Sequence, residues 1–405
     1  MNTNIVEQLS VNRTFFMRRN ICITLLFASL VAALYTCAAV VKISYNVSDF
    51  ITHARVAERM LVGGPMPPHF LYQYLLIGLH KISGLSFFQS TYVVVFLMVF
   101  FTFLVAYRGL RGTKHEVIYL VLATTFLLVS HPIPIVFPYD RHLLYGYIAS
   151  NVYHNPSILL LKLIAITHFL LLCRLLKEER WSSRSWLDIA LIAVLTAVST
   201  IAKPNYVIVL LPGLCILLYL NRKNHCFFKR GAVVSVVSAI VPAIAILVWQ
   251  YIAFYTGHSG NTIGVSLLEV FYINSSGWTL VPKLVGSIAF PLALLAVTRE
   301  KIIQDIEFQL SSAMFVISLF FAYVLVDNVA GRGTGAGNFW WSAQIAHFLL
   351  LFVCIKFYLK VIADTIFRSS ARQWVLYVPG YVGVIQFISG LIWYSSNVVK
   401  ILWIP

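Results

Sequence analysis

Eleven apolar runs, from about 15 to about 26 residues long, recur along this 405-residue chain, and polar or basic stretches separate most of them. A helix of about 20 apolar residues is what it takes to cross the roughly 30 Å hydrocarbon core of a bilayer. The recurrence therefore constrains the fold more than any single motif does. It predicts an all-α, polytopic transmembrane bundle of about 11 spans, at about 21–44, 87–107, 116–130, 157–174, 186–202, 205–220, 231–256, 280–298, 311–328, 339–360 and 375–397. Composition agrees: 60% of residues are apolar and 11% charged, where a soluble domain averages about 25% charged. A chain of this length has no room for a large soluble domain as well, so residues 1–405 are read as one integral membrane domain.

The net charge of +16 would suit a nucleic-acid binder, but no basic stretch is long enough to make such a domain. In a membrane protein, Lys and Arg set topology instead. With 1–20 placed in the cytoplasm, the inner segments hold 20 of the 30 Lys and Arg, nine lie at or beyond the outer face, and Lys162 sits inside the fourth span. This bias holds only if 69–83 does not cross. That segment is about 12–15 residues long, follows the helix breakers Gly63-Gly64-Pro65 and Pro67-Pro68, and is re-entrant or interfacial in this reading. Residues 45–86 then form a long first external loop with interfacial helices, and the C-terminus is external. The six cysteines form no CxxC pair, so neither a zinc site nor a disulfide framework is indicated.

Only 14 residues are acidic, and five of them map to the outer side: Asp49, Glu58, Asp140, Glu269 and Asp327. Other polar residues gather in the same loops, among them His53 and Arg55, Arg141 beside Asp140, His154 with Asn155, Lys203 with Asn205, and Arg332 with Asn338. Ionisable groups at membrane depth are costly and usually functional. Lys203 is the sharpest case. The runs on either side of it have only about 16–17 residues, about 25 Å of helix at 1.5 Å per residue, so its ammonium lies at or just below the outer boundary. It needs an anionic partner, such as a lipid phosphate, or must snorkel. Asp49 follows the first span directly and is read either as a base or as an interfacial cap for the helix that starts near Phe50. Lys162 and His168 are expected to bond within the bundle.

Ser48-Asp49-Phe50 after the first span, Tyr153-His154-Asn155-Pro156 before the fourth, Ala202-Lys203-Pro204-Asn205 after the fifth and Gly337-Asn338-Phe339-Trp340 at the tenth lie on one side of the membrane. In layout the chain resembles the glycosyltransferase C superfamily, integral membrane enzymes that take a sugar from a polyprenyl-phosphate donor. The likeness covers most of the chain in layout and about 25 residues in motif. No large soluble domain follows the last span, unlike some branches, which leaves acceptor recognition unexplained.

The resemblance implies inverting transfer to a glycan or lipid acceptor of the cell envelope, at the outer face of a bacterial cell membrane. Asp49 and Asp140 are then the catalytic candidates, with Asp49 taking the acceptor proton. Lys203, Arg141 and Arg332 would meet the leaving phosphate, and His53, Arg55, His154, Asn155 and Asn338 would line the substrate. No cofactor is required; a divalent metal bridging Asp49 and Asp140 is the variant considered. Two other readings stay open. A polysaccharide polymerase or ligase would use a polyprenyl-diphosphate glycan, and a lipid or sugar transporter would show discontinuous helices and charges near the mid-plane.

Overall fold

The computed structural model describes residues 3–46, 48–113, 115–136, 146–151, 155–178, 183–223, 230–254, 256, 262–329, 332–333, 338–366 and 373–401. Within these, only the backbone is described for 3–17, 183–184, 230–231, 262, 274, 327–329, 332–333, 365–366, 373 and 401. The described chain is helical almost throughout. In order it forms α1 (Thr3–Ser44), α2 (Asp49–Leu61), α3 (Leu71–Ser83), α4 (Phe87–Leu110), α5 (Val117–Val129), α6 (Pro156–Lys177), α7 (Ser183–Ala202), α8 (Val207–Leu220), α9 (Arg230–Phe254), α10 (Glu269–Asn274), α11 (Leu280–Ser287), α12 (Ala289–Ile302), α13 (Ile306–Val324), α14 (Trp340–Ile366) and α15 (Tyr377–Ile401). Three short strands, β1 (Thr262–Val265), β2 (Leu325–Val329) and β3 (Arg332–Gly333), form one antiparallel sheet, with Ile263 opposite Asp327 and Val329 opposite Arg332.

Among the described residues, eight helices are long and apolar enough to cross a membrane: those at Arg18–Ser44, Phe87–Thr113, Pro156–Lys177, Ser185–Ala202, Ala232–Phe254, Ile306–Val324, Trp340–Asp364 and Trp374–Lys400. Each coincides with one of the eleven expected spans. The eighth expected span is a broken pair, the helical stretch ending at Ser287 and α12 meeting at a 61° bend. The remaining two are the shorter apolar helices α5 and α8, of 13 and 14 residues. At 1.5 Å per residue these are only about 20 Å long. The ninth run is displaced. It starts at Ile306, with Asp305 capping the amides of Glu307 and Phe308, and it ends at Val324, where the chain becomes strand β2. The all-α bundle is as expected apart from this small sheet, and Asp327 lies in a strand, not at the end of the ninth span. Within 69–83 the helix is α3, of 13 residues, too short to be counted with the spans.

Local chemistry sets several of these boundaries. Ser86 and Gln89 form a reciprocal capping box at the start of α4, satisfying two amides that the helix leaves open. Asn155 caps α6, with Pro156 in the first turn, where a missing N–H costs nothing. Gly84 ends α3 with φ of 71°, a conformation that glycine adopts without a steric penalty. At the bend between α11 and α12, buried Gln386 of α15 supplies the lost partners. Its Nε2 donates to the carbonyls of Gly286 (3.3 Å) and Ser287 (3.2 Å), and its Oε1 accepts from the Phe290 amide (3.3 Å).

Polar contacts gather at the two ends of the bundle. At one end His115 bonds the Leu359 carbonyl (2.7 Å), Asn221 bonds Gln309 (2.9 Å), Arg174 pairs with Asp188, and Glu307 is shared by Lys177 (2.9 Å) and Lys356 (2.8 Å). At the other end Gln250 of α9 donates to the carbonyls of Pro68 (3.0 Å) and Thr200 (3.2 Å), fastening the loop before α3 to the bundle. Asn205, between α7 and α8, donates to the Asn338 carbonyl (2.6 Å) and to Ser342 Oγ (2.8 Å) at the start of α14. The candidate site lies at this second end.

Candidate functional site

Asp49 opens α2, and Phe50, Ile51, Ala54 and Ala57 press that amphipathic helix against the bundle. Ser48, the residue before it, makes no side-chain capping bond. The carboxylate of Asp49, the first residue of the helix, reaches elsewhere: its Oδ2 accepts from Asn155 Nδ2 at 2.9 Å, across 106 residues of sequence. Asn155 is held by its second role. Its Oδ1 accepts from the Ile158 amide (3.2 Å) and from Ser157 Oγ (3.1 Å), so the start of α6 fixes the amide that meets the carboxylate.

His53 lies one helical turn after Asp49, on the same side of α2. Its Nε2 is 3.3 Å from Ser157 Oγ, and its Nδ1 is 2.7 Å from the Gln73 amide of α3. Turning the Gln73 oxygen toward the ring frees its nitrogen to donate to the carbonyls of His69 (2.9 Å) and Phe70 (3.2 Å), which satisfies both ends of the amide. His53 then carries its proton on Nδ1 and presents Nε2 as an acceptor. Ser157 stands between that nitrogen and Asn155. Three helices thus contribute to one chain of contacts: Gln73 from α3, His53 and Asp49 from α2, and Ser157 with the Asn155 cap from α6.

Lys203 follows α7 directly, is buried at 4% exposure, and lies 5.1 Å from the centre of the Trp341 ring. A cation over an aromatic face is attracted by the ring quadrupole. Its charge also reaches the histidines. Burial is the main cause that pushes His53 down to about 4, Lys203 adds to the shift, and Asp49 opposes it. His69 is pushed down to about 3 by burial first, then by Lys203 and His53. Both imidazoles are neutral at pH 7. Lys203 and Asp49 thus act in opposite senses on the charge state of His53.

Of the residues expected at the site, Asp49, His53, Asn155 and Lys203 come together. The Asn338 backbone borders them through Asn205, while its side chain is exposed. Arg55 is exposed, two positions from His53 and so on another side of α2. Asp140, Arg141 and His154 lie outside the described residues, as does the Arg332 side chain; the Arg332 backbone is in β3. Sequence reasoning missed Gln73, Ser157 and His69. The available signals were a lone amide in an apolar helix and a hydroxyl beside a capping Asn-Pro. Among the described residues, no three His, Cys, Asp or Glu side chains converge on a metal position. Of the two groups expected to bond inside the bundle, His168 does so, with Tyr206 Oη (2.7 Å) and Thr196 Oγ1 (2.8 Å). Lys162 does not: its Nζ is buried without a hydrogen-bond partner.

No family model matches this chain, and no curated protein matches it.

Proposed function

We propose that this is a membrane-embedded inverting glycosyltransferase. It moves a sugar from a polyprenyl-phosphate donor to a cell-envelope glycan or lipid acceptor, in the manner of the glycosyltransferase C superfamily. The observation that carries the reading is the Asp49–Asn155 bond beside a buried cation. A carboxylate is oriented by a fixed amide, next to a neutral imidazole, in the field of Lys203. In the proposed step the acceptor oxygen bonds to the anomeric carbon as Asp49 takes its proton. The bond from that carbon to the phosphate oxygen breaks, its electron pair leaves with the phosphate, and Lys203 meets the developing charge. Asn155 and Ser157 keep the carboxylate aimed, and His53 orients the acceptor through Nε2. Asp140, Arg141, Arg332, His154 and Arg55 complete the donor and acceptor sites in this reading, and no metal takes part.

The same reading assigns the topology. Eleven crossings, with α5, α8 and the broken α11–α12 pair each counted once, put the N-terminus in the cytoplasm. They put the C-terminus and the Asp49 end outside a bacterial cell membrane. The charge bias of the loops and the two polar ends of the bundle support it.

The deciding experiment supplies purified protein with a polyprenyl-phosphate sugar and an envelope acceptor fraction. Asp49→Asn should insert normally and lose a hundredfold or more of the transfer rate, within the range for a positioned base. Retention of more than a few per cent would remove Asp49 as the base. A transporter is the second reading, because the 61° break at Ser287 and the buried Lys162 are what such a protein needs. Substrate flux into liposomes with no product formed would favour it.

A further inference from the structure

α6 and α14 pack against each other, and the chemistry at their contact differs from that of the outer site. Lys162 is 2% exposed, its Nζ has no hydrogen-bond partner, and the group lies 5.3 Å from the centre of the Phe348 ring. No carboxylate forms an ion pair with it among the described residues. His347, 2% exposed, lies in the field of that ammonium and bonds the Ile148 backbone through its ring. Gln344, 6% exposed, has a buried Oε1 without a donor. Positions 344, 347 and 348 share one face of α14, and that face meets Lys162. On α6, Lys162 lies seven residues after Asn155, two turns along the same face and about 10 Å deeper.

Stripping an ammonium of water without a counter-charge is costly, and the cation–π contact with Phe348 returns only part of that cost. We infer that Lys162, His347 and Gln344 form an interior binding site for a singly protonated phosphate, set below the Asp49 site. The unmatched groups define the ligand. Lys162 donates and Gln344 Oε1 accepts, with the His347 ring beside them. A phosphate carrying one proton has charged oxygens for the ammonium and one O–H for Gln344 Oε1, and phosphate monoesters hold that proton below about pH 6. A carboxylate or sulfate has no proton to give and leaves Gln344 unmatched. The inference stands on these buried groups and not on the proposed sugar transfer. Either a lipid phosphate monoester or free phosphate has the required chemistry.

The test uses the purified full chain in detergent at about pH 6 and follows its thermal unfolding midpoint. Inorganic phosphate, sulfate and a short-chain isoprenyl monophosphate are titrated into the wild type, Lys162→Met, Gln344→Leu and Lys203→Met. Phosphate should raise the wild-type midpoint saturably, at concentrations at least tenfold below those sulfate requires. Lys162→Met should lose the shift while its unliganded midpoint stays equal or rises, since a buried unpaired charge has gone. Gln344→Leu should narrow the gap between phosphate and sulfate, which keeps the test decisive if Lys162→Met does not fold. Lys203→Met should retain the shift. Tighter response to the isoprenyl compound identifies a lipid phosphate; tighter response to inorganic phosphate identifies the free ion. No saturable shift in the wild type, or a shift that survives Lys162→Met and vanishes in Lys203→Met, overturns the inference. Because no turnover is measured, that outcome leaves the Asp49 reading standing.

Discussion

Asn155 does two jobs that substitution can separate. Its Oδ1 caps α6 through the Ile158 amide, and its Nδ2 donates to Asp49 at 2.9 Å. Losing a cap costs about 1 kcal/mol, and losing a hydrogen bond to a charged group about 1.5–3 kcal/mol. Asn155→Ala loses both, so about 2.5–4 kcal/mol if they add. Asn155→Ser keeps a capping oxygen on a shorter side chain and gives up only the amide that reaches Asp49. If orientation of the carboxylate matters in the transition state, that variant should lose about ten- to a hundredfold in kcat/KM, since each 1.36 kcal/mol is tenfold. Its unfolding midpoint should fall by less than that of Asn155→Ala, because the cap, about 1 kcal/mol, is kept. Asn155→Asp is the complementary variant. It also caps, but places a second carboxylate against Asp49, and a like charge nearby raises a carboxyl pKa. The acid limb of the pH–rate profile should then move to higher pH, and stability near neutral pH should fall, because a carboxyl whose pKa is raised on folding destabilises the fold once it ionises. Transfer assays with the polyprenyl-phosphate donor from pH 4.5 to 8 measure both effects. Full activity in Asn155→Ser, with an unmoved acid limb in Asn155→Asp, would refute the claim that this amide positions a base.

Other outcomes follow from the same contacts. His53 is held neutral, its pKa pushed from 6.5 to about 4, so the unfolded chain binds a proton there that the folded chain refuses. Its contribution is fully present above about pH 6.5 and is lost as pH falls toward about 4. By the conversion of 1.36 kcal/mol per unit it is at most about 3 kcal/mol. His53→Gln should flatten the fall of the unfolding midpoint over that window, and an unchanged slope would count against a buried neutral imidazole. Gly390→Ala would drive a Cβ into the Val129 carbonyl oxygen, a backbone atom with little freedom to yield. α15 must then move off α5, and a lower yield of folded protein with a depressed midpoint is expected; wild-type behaviour would show that this contact is not tight. Glu307→Gln leaves Lys177 and Lys356 without the carboxylate they share at 2.9 and 2.8 Å. It should cost about 2–3 kcal/mol, below the value for a fully buried pair because both lysines are part-exposed, and denaturant titration of the detergent-solubilised variant checks it.

The spans could be read from the sequence because an apolar run must be long enough to cross lipid, whatever it packs against. Their ends depended on contacts the sequence does not display. Glu307 reads as the polar edge of a loop, which pushed the expected start of the ninth span to about 311. In the fold its charge is matched by lysines from α6 and α14, and the helix runs through it from Ile306. Leu325–Val329 reads as the last turn of that helix, yet it pairs with Thr262–Val265, some sixty residues earlier. The eighth run looks continuous, but Gln386 of α15 satisfies the backbone groups opened by its bend. The site divides in the same way. Asp49, His53, Asn155 and Lys203 could be found because each stands at the same end of an apolar run, and membrane topology brings such ends together. Gln73 and Ser157 were hidden, since their significance lies in facing His53 across helix boundaries. Lys162 shows the limit most directly. Its position inside a span was visible, but its lack of a partner is a property of everything packed around it. A buried charge that the helices leave unmatched is therefore where this fold most needs something from outside the chain.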